Sequence, residues 1–166
     1  MNLHLISITN DNDLVEILEE LISGSIMIDL ERLGKKERQA HRDTLISDHN
    51  LKDIVKIRKI VKKNKLMVRI NPYGIHTKDE IEEVINLGVD SIMLPMVKDH
   101  KEVESFTQQI DGRAESWILL ETIDSLKNIE LIVNTKGVNR YHIGLNDLHI
   151  EKKLDLQYFS KIWESK

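Results

Sequence analysis

Trp117-Ile-Leu-Leu-Glu121-Thr122 reads as a buried strand that stops on an acid, and Tyr141-His-Ile-Gly-Leu-Asn-Asp147-Leu148 repeats that pattern 26 residues later. Short apolar runs without polar alternation belong to strands covered on both faces. The interval suits one strand–helix–strand unit. Glu121 and Asp147 are therefore expected side by side on one rim of a parallel sheet.

Working outward, the same alternation extends along the chain. Leu3–Ile8, Ile26–Leu30, Leu66–Ile70 and Ser91–Leu94 read as four earlier strands. Apolar residues at helical spacing predict helices over Leu14–Ile22, Leu51–Val61, Ile81–Leu87, Asp99–Ile110 and Asp124–Val133, with a last one at Leu154–Trp163. Thr77-Lys-Asp-Glu80 has the form of a capping box, and Gly24 and Gly88 supply helix stops. The polar stretch Glu31–Asn50 reads as loop with at most a short helix. From the third strand onward the strand ends recur every 24 to 26 residues, at Asn71, Pro95, Glu121 and Asp147.

Strands alternating with helices imply a parallel sheet with helices outside. The regular period favours a (β/α) barrel of TIM type over a doubly wound sheet. A complete barrel has eight strands and typically ~250 residues. The expectation is an incomplete α/β barrel of about six parallel strands. It forms a single barrel-like domain over residues 1–166 and lacks the last two βα units.

Composition narrows the chemistry. The 166 residues are 40% hydrophobic and 31% charged, with net charge −4. No basic field argues for nucleic acid. Zero cysteines exclude disulfides, zinc–thiolate sites and a thiol nucleophile. The amino terminus has no signal-peptide pattern and no apolar run approaches a membrane span, so a cytoplasmic protein without membrane contact is expected.

Barrel chemistry sits at the carboxyl ends of the strands. Those positions carry Asp29 and Glu31, Arg69 and Asn71, Pro95, Glu121, and Asn146 with Asp147. Carboxylates suit a hard cation, Mg2+ or Mn2+. An arginine fork suits a carboxylate or a developing enolate oxygen.

The blocks Ile28-Asp-Leu-Glu31, Val68-Arg-Ile-Asn71, Asp90-Ser-Ile-Met-Leu-Pro95, Leu120-Glu121-Thr122 and His142-Ile-Gly-Leu-Asn-Asp-Leu148 resemble the HpcH/HpaI aldolase and citrate lyase β-subunit family. The resemblance covers about residues 26 to 150 and implies a phosphoenolpyruvate/pyruvate-type TIM barrel. It implies a metal-dependent carbon–carbon lyase acting on a 2-oxo acid or acyl substrate through an enolate. Glu121 and Asp147 match the family's two metal-ligand carboxylates. Arg69 matches the catalytic arginine that binds the substrate's carboxylate or enolate oxygen. Gly144 and Asn146 fall in the substrate-binding turn, and Asp29 and Glu31 match an acidic block that orders the metal site through water. Two departures stand out: Arg32 replaces an acid of the Asp-Leu-Glu-Asp form, and no histidine follows the second strand until His41.

Plainer readings accompany each residue. Glu121 and Asp147 singly read as helix-capping acids. Arg69 reads equally as a salt-bridge partner of Asp29 or Glu121. Of Asp29 and Glu31 only one is expected to point inward, with the other solvated or a loop anchor. His142 reads as a packed core residue, and the lysine-rich face of residues 52–65 as solvated. Against the lyase stands a catalytically inactive shortened barrel serving as a binding or assembly module. Either form is expected to self-associate to cover its open edges.

Overall fold

Six parallel strands form one sheet in chain order: β1 (Leu5–Ile8), β2 (Gly24–Asp29), β3 (Lys65–Arg69), β4 (Ser91–Leu94), β5 (Glu115–Leu120) and β6 (Arg140–Ile143). The computed structural model describes residues 3–34 and 47–151. The anticipated helix at Leu154–Trp163 and the centre of the Glu31–Asn50 stretch, His41 included, lie outside the described residues.

The strands are joined by α1 (Asn12–Leu21), α2 (Leu51–Arg58), α3 (Thr77–Asn86), α4 (His100–Ile110), α5 (Ile123–Lys127) and α6 (Ile129–Val133), and α7 (Leu145–Glu151) follows β6. Their starts follow local chemistry. Asp11, Asn50, Asp99 and Thr122 each accept a backbone N–H from the first turn of the helix they cap.

The period-2 geometry of the strands splits the core in two. Outward-facing Ile26, Ile28, Leu66, Val68, Ile92, Leu94, Ile118 and Leu120 pack under the helices with Ile54, Ile57, Ile81 and Phe106. Inward-facing Met27, Met67, Met93, Trp117 and Leu119 form a second cluster, with Ile6 against it. That inner cluster is the filling of a barrel interior, and it forms because the sheet curls. His4, just before β1, stacks its ring 5.3 Å from Trp117 of β5. Arg140 of β6 lies 5.2 Å over the same indole. Residues of β1 and β6 together line a cleft of about 600 Å³. The described chain is thus a curled half-barrel with helices outside, as the strand period implied.

Three local expectations change. Thr77-Lys-Asp-Glu80 does not cap α3. Its N-cap is His76, with no side-chain bond to the helix. Thr77 instead accepts the Gly74 N–H at 2.8 Å, and Glu80 reaches back to the Asn71 backbone and side-chain amides. The turn after β3 outcompetes the cap for both side chains. The single helix expected over Asp124–Val133 is two short ones meeting at Asn128. Finally, β6 ends at Ile143, and Asp147 stands in the first turn of α7 rather than on the strand. The apolar run there continues as a helix because Gly144 accepts the Leu148 N–H at 3.3 Å, which starts α7 at once.

Candidate active site

Two acids and an arginine meet where β2 and β3 end. Asp29 and Arg69 are register partners on neighbouring strands, so their side chains leave the sheet on the same face. Arg69 donates from Nε to Asp29 Oδ1 at 2.9 Å and from Nη2 to Asp29 Oδ2 at 2.7 Å. This is the two-pronged arginine–carboxylate pair that holds a planar guanidinium in one orientation. Glu31 Oε2 lies 3.5 Å from Arg69 Nε.

The expectation that only one of Asp29 and Glu31 faces inward is overturned. The strand stops at Asp29, and Glu31 folds back in a turn closed by its own N–H on Asp29 Oδ1 at 3.2 Å. Residues two apart along a strand share a face, so alternation and the turn together keep Glu31 on the side of Asp29. Both acids are buried, at 1% and 3% exposure.

Arg32 acts as a strut rather than a site acid. Its guanidinium donates to the carbonyls of Ser47 and His49. That holds His49 against β2, where its Nδ1 accepts the Asp29 N–H at 3.0 Å. An Nδ1 that accepts leaves Nε2 carrying the proton in the neutral ring. His49 carries no motif in the sequence, since it stands 20 residues from its partner.

Glu121 follows β5 directly and is 3% exposed. Its Oε1 accepts the Met96 N–H at 2.9 Å. On its other side stands Gly144, where a Cβ would lie 2.6 Å from Glu121 Cβ and 2.8 Å from Oε2. Burial pushes the Glu121 pKa up to about 8. The Met96 N–H opposes that rise, the nearby Asp147 and Glu31 charges add to it, and Arg69 opposes it. Burial also works to discharge Arg69. The Asp29 hydrogen bonds and charge, with Glu31 and Glu121 behind them, outweigh it and hold the guanidinium above its ordinary pKa. Arg69, Asp29, Glu31, Glu121 and Asp147 thus lie near enough for their charges to act on Glu121 or on Arg69.

Asp147 is half-buried and borders a cavity of about 240 Å³ with Met96, Lys98, Thr122, Asp124, Ile150 and Glu151. Asn146 is exposed beside it on α7. His142, expected in the core, is exposed on β6, whose outer edge has no pairing strand among the described residues. His149 is buried at the base of α7.

Among the described residues no three His, Cys, Asp or Glu side chains gather closely enough to hold a metal by themselves. Two carboxylates, with water completing the shell, are what Mg2+ commonly takes from a protein. Glu121 is buried near two other acids, while two nitrogens of Arg69 are engaged with Asp29 and Glu31. Glu121 and Asp147 are the residues that would hold such a cation, and the charge distribution suits it.

Taken together, the described chain is a β/α half-barrel with a carboxylate–arginine rim at its strand ends. It belongs to the HpcH/HpaI aldolase/citrate lyase family, whose model matches residues 5–158. No protein of curated function matches the sequence closely. Among solved structures, the citrate synthase SbnG is similar at TM-score 0.70 and 16% identity, covering 98% of this chain and 71% of its own. An HpcH/HpaI aldolase from Desulfitobacterium hafniense DCB-2 gives 0.71 and 14%, covering 97% and 70%. Macrophomate synthase gives 0.63 and 12%, covering 92% and 58%. At these identities the likeness speaks for the fold. Family membership supports a carbon–carbon lyase type of enzyme acting on small carboxylates. No helix among the described residues is long and apolar enough to cross a membrane.

Proposed function

We propose that this chain is a divalent-metal-dependent carbon–carbon lyase that cleaves or joins a bond beside a 2-oxo acid, or a related carboxylate, through an enolate. The observation that carries this reading is the buried Glu121, with Asp147 close enough to raise its pKa and Arg69 on the same rim.

Glu121 and Asp147 would hold the ion, Mg2+ or Mn2+. Once bound, it supplies Lewis-acid polarisation of the substrate carbonyl. Arg69 binds the substrate carboxylate or the enolate oxygen. Asp29 fixes the plane of that guanidinium, so little reorganisation is needed as negative charge develops. Gly144 lets Glu121 lie against the backbone of the turn that would contact substrate, and Asn146 stands beside that turn as a polar contact. In the cleavage direction the carbon–carbon bond breaks and its electron pair stays on the 2-oxo acid fragment as enolate. The hydroxyl proton of the other fragment leaves to water or a base as its carbonyl forms.

Calorimetry with Mn2+ tests the site. Wild type is expected to bind and Asp147→Ala to bind far more weakly, and equal affinity would remove the assignment. Retro-aldol assays against a panel of 2-oxo and hydroxy acids test the reaction.

A binding or assembly module is the second reading. It is supported by the unpaired edges of β1 and β6 among the described residues, with exposed Leu5 and Ile8 on one and Ile143 on the other. Metal binding without turnover on any panel member would favour it. In both readings a second copy covers these edges, and a monomer by light scattering at micromolar concentration would count against that.

A further inference from the structure

Met96 is one of two non-glycine residues among those described whose backbone is left-handed, with φ 55°. A side chain disfavours that conformation, and isolated cases cluster where the surroundings hold the chain for a purpose. Met96 follows the buried Pro95 at the end of β4, and its N–H meets Glu121 Oε1 at 2.9 Å.

The turn is pinned from the same direction. Thr122, the neighbour of Glu121, donates its hydroxyl to Val97 O at 2.6 Å, and both side chains are buried. Two adjacent residues after β5 thus grip two adjacent residues after β4, by bonds of opposite sense. Further along, Asn128 Nδ2 donates to Lys98 O at 3.0 Å, and Lys98 N donates to Glu102 Oε2 at 2.8 Å. Such anchoring over-determines the turn and keeps Met96 left-handed.

We propose that Met96 is a positioning residue, whose left-handed backbone aims its N–H at Glu121 and so fixes the orientation of that carboxylate in the site. The inference rests on the reading of Glu121 as a metal ligand. With Gly144 filling the opposite side, Glu121 sits in a slot between two backbones. The Met96 side chain is secondary in this account, although it borders the cavity beside Asp147.

The test uses the full chain with Met96→Gly, Met96→Asn, Met96→Ala and Met96→Val. Gly and Asn tolerate the left-handed region, and β-branched Val resists it. Mn2+ affinity by calorimetry is therefore expected to follow backbone preference. Gly and Asn stay near wild type, Ala falls between, and Val weakens binding about 10- to 100-fold, the usual effect of losing a group that orients a metal ligand. A packing role predicts the reverse order, with Gly worst and Val mild. That order, or no effect in any variant, overturns the proposal. Should Val fail to fold, Ala against Gly carries the comparison.

A second readout needs no metal. Amide hydrogen exchange by NMR is expected to show the Met96 N–H protected in wild type and Met96→Gly, with protection lost in Glu121→Ala. Equal exchange in wild type and Glu121→Ala overturns the proposal. Absence of Mn2+ binding by wild type, with the exchange pattern intact, would sink the metal reading while leaving the Met96–Glu121 linkage standing.

Discussion

Gly144 stands against Glu121 so closely that a Cβ added to it would lie 2.6 Å from Glu121 Cβ and 2.8 Å from its Oε2. The contact joins the turn after β6 to the acid after β5, and it makes a glycine part of the geometry of a carboxylate. Gly144→Ala must therefore move Glu121 or the start of α7. The expected outcome is a loss of about 1–3 kcal/mol in stability by urea denaturation, typical of overpacking a tight site. Mn2+ affinity and lyase activity are expected to fall more steeply than stability does.

Glu121 also sets a dependence on pH. Its pKa in the fold is pushed up to about 8, above the ordinary carboxyl value of 4.5. Between those values the unfolded chain has lost a proton that the fold retains, so the fold binds more protons and stability falls as pH rises. Below that window the contribution is flat. Glu121→Gln is expected to flatten the slope of melting temperature against pH between about 5 and 8. A slope unchanged in the variant would show that other groups carry it.

The same retained proton bears on metal. A cation takes the ionised carboxylate, so binding must expel the proton and strengthen as pH rises toward 8. Calorimetry of Mn2+ binding in buffers of differing ionisation enthalpy is expected to reveal proton release at pH 7 in wild type, and none attributable to this site in Glu121→Gln.

The Arg69–Asp29 pair is two-pronged, with Asp29 buried and Arg69 partly so. Asp29→Ala leaves the guanidinium short of its main partner, and breaking such a pair from one side costs about 3–5 kcal/mol. Glu31 remains nearby, which places the expected loss toward the lower end. In an active lyase, Asp29→Asn is expected to raise KM for the carboxylate substrate more than it lowers kcat, because the arginine survives with its orientation loosened. A pure stability loss with unchanged kinetics would assign Arg69 a structural role.

Thr122→Val tests the second stitch of the β4–β5 rim. The buried hydroxyl donates to Val97 O and accepts the Ser125 N–H at 2.9 Å. Removing it leaves two buried backbone groups without that partner, at about 1–3 kcal/mol for an unsatisfied group. Thermal melting is the measurement.

Much of this architecture was legible along the chain. Continuous apolar runs at Ile26–Ile28, Leu66–Val68, Ile92–Leu94 and Ile118–Leu120 read as strands covered on both faces, and the even spacing of the last three leaves room for helices between them. Strand ends then follow by counting, and counting places Glu121 and Arg69 there. Counting failed where the backbone left the strand. Asp147 lies beyond the last paired residue of β6, in a helix, where period-2 alternation has no force.

The sequence by itself determined the parallel order, the two-sided strands and the residue types on the rim, because periodicity and burial are local to each segment. Tertiary structure alone decided the contacts between segments. The His49 bond to Asp29 spans 20 residues, Arg69 to Asp29 spans 40, and Met96 to Glu121 spans 25. Such partners meet only once their strands pair and the loops pack, and pairing belongs to the folded whole. The left-handed backbone of Met96 has the same origin. Methionine does not favour it, and the bonds that hold the turn come from residues after a different strand.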